Sequence, residues 1–211
     1  MTDPRYYYEP ARGHGLPHDP FNAIVGPRPI GWISTRAANG RSNLAPYSYF
    51  NAVSRMPPMI VFSSNTRKDT LNNIEETGEF GWNLASRPLA EQMNLCSAPA
   101  PPEISEFALT GLPEEKARLI NAPLVATSPV SFECVKSEII RLRDRHGHDL
   151  DNWLVVGEVI AIHIAPQFLT DGIYDTAAAQ PILRGGGTAD YFAIKPDDYF
   201  RMKRPQWPAK E

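Results

Sequence analysis

Two stretches of the chain carry residue types suited to holding a flat ring and a phosphate. The first is Asn43-Leu44-Ala45-Pro46-Tyr47-Ser48-Tyr49-Phe50-Asn51. It interleaves aromatic faces with hydroxyl and amide groups. Pro46 has no N–H to donate to a ladder, which confines it to a sheet edge or a bulge. A bulge turns backbone N–H and C=O groups toward a ligand. Read alone, the stretch fits an ordinary aromatic strand equally well. The second is Ser63-Ser64-Asn65-Thr66-Arg67-Lys68-Asp69-Thr70, between an expected strand end and a helix start. Hydroxyls, two adjacent cations and a helix N-terminus suit a phosphate, since free N–H groups and the helix dipole both favour negative charge. A capped helix with solvated basic residues explains it equally well.

Other chemistries lack their signatures. No G-x-G-x-x-G follows a strand, no G-x-x-x-x-G-K-[ST] occurs, and Gly185-Gly186-Gly187 has no strand–helix context. There is no G-x-S-x-G elbow. His146 and His148 fall in a charged loop and are expected to be solvated, so no metal site is expected. Cys96 and Cys134 lie far apart and are expected to be buried free thiols. His163 is expected to be a satisfied core histidine. Trp82 and Trp153 are expected to serve packing.

The formal net charge over 211 residues is −3. With no basic stripe, nucleic acid is excluded as a partner. The apolar run at 160–164 is too short to span a bilayer. The first 19 residues lack the apolar region of an export signal, so a soluble, cytoplasmic protein is expected.

The elements that must position these residues read as mainly β. Twenty-one prolines leave little room for long helices. Strands are expected at 28–35, 42–53 and 59–64, the first two joined by the Asn39-Gly40 turn. A helix capped by Asp69 and closed by Gly78 follows, then a strand at 79–84 and a helix beginning at Ser86. Residues 98–115 read as a loop excursion with little regular structure. Long strands are expected at 130–143 and 153–164. Both faces of the second are apolar, one to fill an interior and the other to be covered by helix or a second subunit. The reading gives an arm at 1–20, one domain at 21–195 and a tail at 196–211. Its fold class is a closed six-stranded barrel with short helical decorations.

Several motifs, in order and spacing, resemble the flavin reductase-like, FMN-binding split-barrel family. They are Arg28-Pro29-Ile30-Gly31-Trp32-Ile33-Ser34-Thr35, Asn39-Gly40, the Asn43-to-Asn51 stretch, Pro57-Pro58 and Arg67-Lys68-Asp69-Thr70-Leu71-Asn72-Asn73-Ile74. Thr77-Gly78-Glu79-Phe80, Asn83-Leu84 and Gly157-Glu158-Val159 continue the match. The resemblance implies a homodimer with FMN sites near the subunit interface. It also implies hydride transfer from NADH or NADPH to flavin N5, as an NAD(P)H-dependent flavin reductase. The alternative is a non-catalytic FMN-binding protein that stores or senses the flavin.

Carried over by position, the ring would lie against Trp32, Ser34, Ala45, Pro46, Tyr47 and Ser48. Phe50 and Asn51 would continue that wall. Ser63, Arg67, Lys68 and Thr70 would hold the phosphate, and Arg184 would reach the ligand from a later loop. Hydride transfer requires no side-chain acid or base, so no catalytic residue is named. The family's His-Asp-Gly type segment is replaced here by Arg145-His146-Gly147-His148-Asp149-Leu150-Asp151. The arm and the excursion near Pro99 are expected to cover the site.

Overall fold

The computed structural model describes residues 5–101, 103–205 and 207. The ends of the expected arm and tail therefore lie partly outside the described residues. A short helix α1 (Phe21–Ile24) leads into β1 (Arg28–Pro29) and β2 (Gly31–Arg36). The Asn39-Gly40 turn, with Gly40 at φ +87°, returns the chain in β3 (Ser42–Tyr47). Gly31 pairs with Tyr47 and Arg36 with Ser42, an unbroken register.

The expected single strand at 42–53 is broken at Ser48-Tyr49, after which β4 (Phe50–Arg55) and β5 (Pro58–Asn65) form a second hairpin. Pro46 sits in an edge strand without a bulge, where its missing N–H costs no ladder bond. Helix α2 (Asp69–Thr77) ends at Gly78, whose φ of +77° suits glycine. Its N-cap is Lys68 rather than Asp69, and no side chain caps it.

Strand β6 (Glu79–Asn83) and helix α3 (Ala90–Leu95) follow. The excursion holds a helix the sequence reading did not anticipate, α4 (Glu106–Thr110), which buries Phe107. The short pair β7 (Glu114–Glu115) and β8 (Leu124–Val125) leads to the two long strands, β9 (Val130–Arg143) and β10 (Asp149–Ile164). Short pieces complete the chain: β11 (Leu169–Thr170), β12 (Ile173–Tyr174), β13 (Ile182–Arg184) and β14 (Tyr191–Ala193). Strands β1, β13 and β14 form a small separate sheet.

The main sheet has seven antiparallel strands in the order β3-β2-β6-β9-β10-β5-β4. Its first and last members are consecutive in the chain, separated by two residues. Such a connection spans at most roughly 11 Å between Tyr47 and Phe50. The sheet must therefore curl until its ends approach. Its sides touch at the Tyr47 and Phe62 rings, 4.6 Å apart, but no ladder joins them among the described residues. The six-stranded closed barrel of the sequence reading is thus corrected to seven strands with an unpaired seam.

Alternation along β2 sends neighbouring side chains to opposite faces. Ile33 enters the interior with Phe62, Leu71, Ile74, Phe80 and Val155. Trp32 packs outward with Leu44, Met93, Cys96 and Phe107 under α3 and α4. Trp82 and Trp153 are core residues, and Cys96 and Cys134 are buried free thiols. On β10, Val155, Gly157 and Val159 are buried, whereas Ile162 is 54% exposed. In the single chain, the apolar face expected to be covered stands bare there. No helix among the described residues is long and apolar enough to cross a membrane.

Candidate functional site

A cleft of about 1350 Å³ opens along the seam. Strand β3 and its corner supply Ala45, Pro46, Tyr47 and Ser48, and β4 supplies Phe50 and Asn51. The facing wall is Ser63 and Asn65 of β5 with Lys68, Asp69 and Thr70 at the start of α2. Cys96 to Ala100 and Glu106 overhang one side, and Phe21, Val25 and Arg28 the other. The β3 part of the first stretch therefore meets the second across the seam, because no ladder joins β3 to β5 among the described residues.

The corner is held from three directions. Arg28 Nε donates to the Ser48 carbonyl at 3.2 Å and one terminal nitrogen to the Gly185 carbonyl at 3.2 Å. The other terminal nitrogen donates to the Asn22 carbonyl. Tyr49 O–H donates to Asn22 Oδ1 at 2.7 Å, and Arg28 lies over the Tyr49 ring. Ser63 N–H donates to the Tyr49 carbonyl at 2.9 Å, tying the corner to β5. Phe50 stacks on Trp82 with ring centroids 5.7 Å apart and planes at 11°. That placement requires a glycine at position 31, where a Cβ would come within 2.8 Å of the Phe50 ring.

Three polar features at the cleft lack protein partners of matching chemistry among the described residues. The Tyr47 hydroxyl is buried beside Thr70 and Ser64 without a hydrogen bond of good geometry among the described residues; burial raises its pKa, against the lowering effect of those two hydroxyls. The first turn of α2 has no side-chain cap, which leaves N–H groups available to an anion. Among the described residues Lys68 Nζ donates to the neutral Asn65 Oδ1, at 2.9 Å, and has no carboxylate partner. Thr70 is positioned by Asn43, whose Nδ2 donates to Thr70 Oγ1 at 2.9 Å.

The acidic groups are restrained. Burial pushes the Glu106 carboxyl above its ordinary value, against the lowering effect of the Leu44 N–H that it accepts at 2.9 Å. Burial likewise pushes the Cys96 thiol up to about 12, so at neutral pH it is an uncharged wall rather than a nucleophile.

Of the residues expected from sequence, Ala45, Pro46, Tyr47 and Ser48 line the cleft from β3 and its corner. Phe50 and Asn51 line it from β4, which pairs with β5, and Ser63, Lys68 and Thr70 line it from the end of β5 and the start of α2. Trp32 and Ser34 are buried away from it. Trp32 is fully inside the α3–α4 packing, and Ser34 Oγ donates to the Pro123 carbonyl. Arg67 turns outward, ion-paired with Glu75 and lying over the Trp153 ring. Arg184 lines a separate side cavity of about 230 Å³ that shares Pro46, Ser48 and Ser97 with the cleft.

Sequence reasoning missed Arg28 and Glu106. Arg28 lay inside a quoted motif, but nothing local signals that it holds the corner through three carbonyls. Glu106 fell in the segment read as featureless loop. His163 is half-buried and paired with Glu133 at 2.6 Å, away from the cleft. His146 and His148 are exposed.

The family described as "flavin reductase like domain" matches residues 26–181. An uncharacterized protein of Aquifex aeolicus is 35% identical over 170 residues, spanning 78% of this chain and 83% of its own. Among solved structures, 2-nitrobenzoate 2-nitroreductase of Pseudomonas fluorescens is similar with a TM-score of 0.77 and 29% identity. That match covers 90% of this chain and 91% of the other. Nitrilotriacetate monooxygenase component B of Bacillus cereus gives a TM-score of 0.81 at 27% identity, covering 96% and 98%.

Proposed function

This chain belongs to the flavin reductase-like family, and on that premise we propose that its seam cleft binds FMN and that NADH or NADPH reduces it there. The observation that carries the reading is the facing of two complementary ends in one cleft. Ala45 to Ser48 form a flat wall with backbone groups at a rigid corner, and Ser63, Lys68 and Thr70 gather where a phosphate would end.

The residues present fit the group. A flat apolar wall suits a fused ring, an uncapped helix start with an unpaired lysine suits a phosphate, and the orphaned Tyr47 hydroxyl gains a partner. The cleft also exceeds the roughly 300–1,000 Å³ of common small-molecule sites, which leaves room for a second ring. The hydride exchange between nicotinamide and flavin N5 is chemistry that FMN supplies when bound. The protein's own contribution is positional. Arg28 fixes the corner that presents the Ser48 backbone, and Gly31 lets Phe50 close the back wall. Overhanging Cys96 to Ala100 limits water from one side.

Exposed Ile162 and Ile160 on β10 support a second copy as the cover of that face. The fold is read as a split barrel, the seam being the split. Steady-state NADH and NADPH oxidation with added FMN tests the activity. Turnover well above the free-flavin background supports a reductase. Bound flavin without turnover leaves a storage or sensing protein.

A further inference from the structure

We infer that Arg184, opposite Arg28 across the β1–β13 pair, forms an anion subsite beside the cleft for a carboxylate or phosphate tethered to a planar second substrate. The inference rests on the proposed flavin site only for what occupies the main cleft.

Arg28 and Arg184 are directly paired in register. Residues directly opposite in an antiparallel pair project to the same side, and like charges placed there are destabilising. Proteins ordinarily relieve such a pair with a carboxylate. Arg36 and Arg67, which also flank the main sheet, each pair with a glutamate. Arg28 and Arg184 have no carboxylate partner among the described residues and are held by main-chain carbonyls and by the Tyr49 and Tyr191 rings. Arg184 donates to Asp190 O at 2.8 Å and Thr188 O at 2.9 Å. The nearby Asp190 carboxylate is turned to the Gly187 N–H, 3.0 Å away.

The guanidinium is also pre-organised. Its Cζ lies 4.9 Å from the centroid of the Tyr191 ring. With these two bonds made through the terminal nitrogens, Nε–H has no protein acceptor among the described residues. A planar fork held this way matches a carboxylate or phosphate in two-point geometry. The place is right as well. The side cavity containing Arg184 shares Pro46 and Ser48 with the ring wall of the cleft. Lys68, at the other end, lines only the main cleft. Lys68 and Arg184 are therefore separate cationic positions, while Arg28, which also lines the cleft, is engaged by three carbonyls. An anion at Arg184 would orient a planar ring toward the corner at Ser48.

The test uses equilibrium binding of benzoate, phenyl phosphate and the neutral benzamide to the full chain, with and without saturating FMN. The wild type is compared with Arg184→Gln and Arg184→Lys. Charged hydrogen bonds of this kind are worth about tenfold or more in affinity. The expected result is at least a tenfold preference for an anion over benzamide, lost in Arg184→Gln and partly kept in Arg184→Lys. FMN affinity should stay unchanged in both variants. A preference for benzoate identifies a carboxylate substrate, and one for phenyl phosphate a phosphate-bearing one. Equal binding of all three probes, or a preference that survives Arg184→Gln, overturns the subsite. Because the comparison is also made without FMN, failure of the chain to bind flavin would sink the cofactor reading while the anion preference is still read.

Discussion

The Tyr47 ring lies 4.6 Å from the Phe62 ring, across a seam where no ladder joins the two sides of the sheet. This contact joins fold and site. It bridges the two sides of the curled sheet where no ladder does among the described residues. The Tyr47 hydroxyl is buried beside Thr70 and Ser64 and makes no hydrogen bond of good geometry among the described residues. Tyr47→Phe should therefore leave the flavin-free protein as stable as wild type or up to about 1 kcal/mol more stable, because no bond is lost. With FMN bound the sign should reverse. Thermal midpoints with and without FMN check this, and equal shifts in both states would mean the hydroxyl serves no ligand.

Lys68 and Arg67 are neighbours with opposite assignments. Lys68→Ala should weaken FMN binding roughly ten- to a hundredfold, the worth of a charged hydrogen bond to phosphate. Arg67→Ala, which removes a group already engaged with Glu75 and Trp153, should change it less than threefold, within what an exposed ion pair contributes. Fluorescence titration of FMN distinguishes them, and a larger loss at Arg67 would reverse the assignment.

Gly31→Val should be costly for a steric reason. The new Cβ would meet the Phe50 ring at 2.8 Å and its Cβ at 3.2 Å. Displacing Phe50 from Trp82 should cost about 1–3 kcal/mol, the usual penalty of overpacking. Thermal unfolding should fall by several degrees, with FMN affinity reduced in parallel. An unchanged midpoint would show that Phe50 is not confined.

Glu133 makes stability depend on acid. It is fully buried, and burial alone would raise its pKa. The N–H groups of Arg118 and Leu119, together with His163, outweigh that effect and hold it below 4.5. A depressed carboxylate contributes stability above its unfolded value and loses it as pH falls through its folded value. The wild type should therefore lose stability progressively below about pH 4.5. Glu133→Gln should show a flatter acid limb and start about 3 kcal/mol lower at neutral pH, since buried donors lose an ionised acceptor. Chemical denaturation at several pH values reads both. Parallel acid limbs would remove Glu133 from the account.

Much of the fold was legible where local chemistry decides it. The Asn39-Gly40 turn, the Gly78 helix end and the two long strands are local signals; β9 stands where the sequence placed it, and β10 begins at Asp149, four residues before its expected start. The break at Ser48-Tyr49 was not legible. It depends on the distant sheet order that brings β3 round to β5, and no residue at the corner announces it. The site divides similarly. Ser48 and Lys68 could be nominated from type and spacing. The outward turn of Arg67 depends on Glu75, one helix face away, and on Trp153 from β10. Glu106 gave no signal because a five-residue helix among prolines resembles a loop until Phe107 is seen to be buried.

Titration of the purified chain with FMN, followed by flavin absorbance and release on denaturation, tests the central claim most directly. The account expects one FMN per chain, binding that Lys68→Ala weakens and Arg67→Ala spares. Absence of binding at saturating FMN in the folded wild-type protein would contradict it.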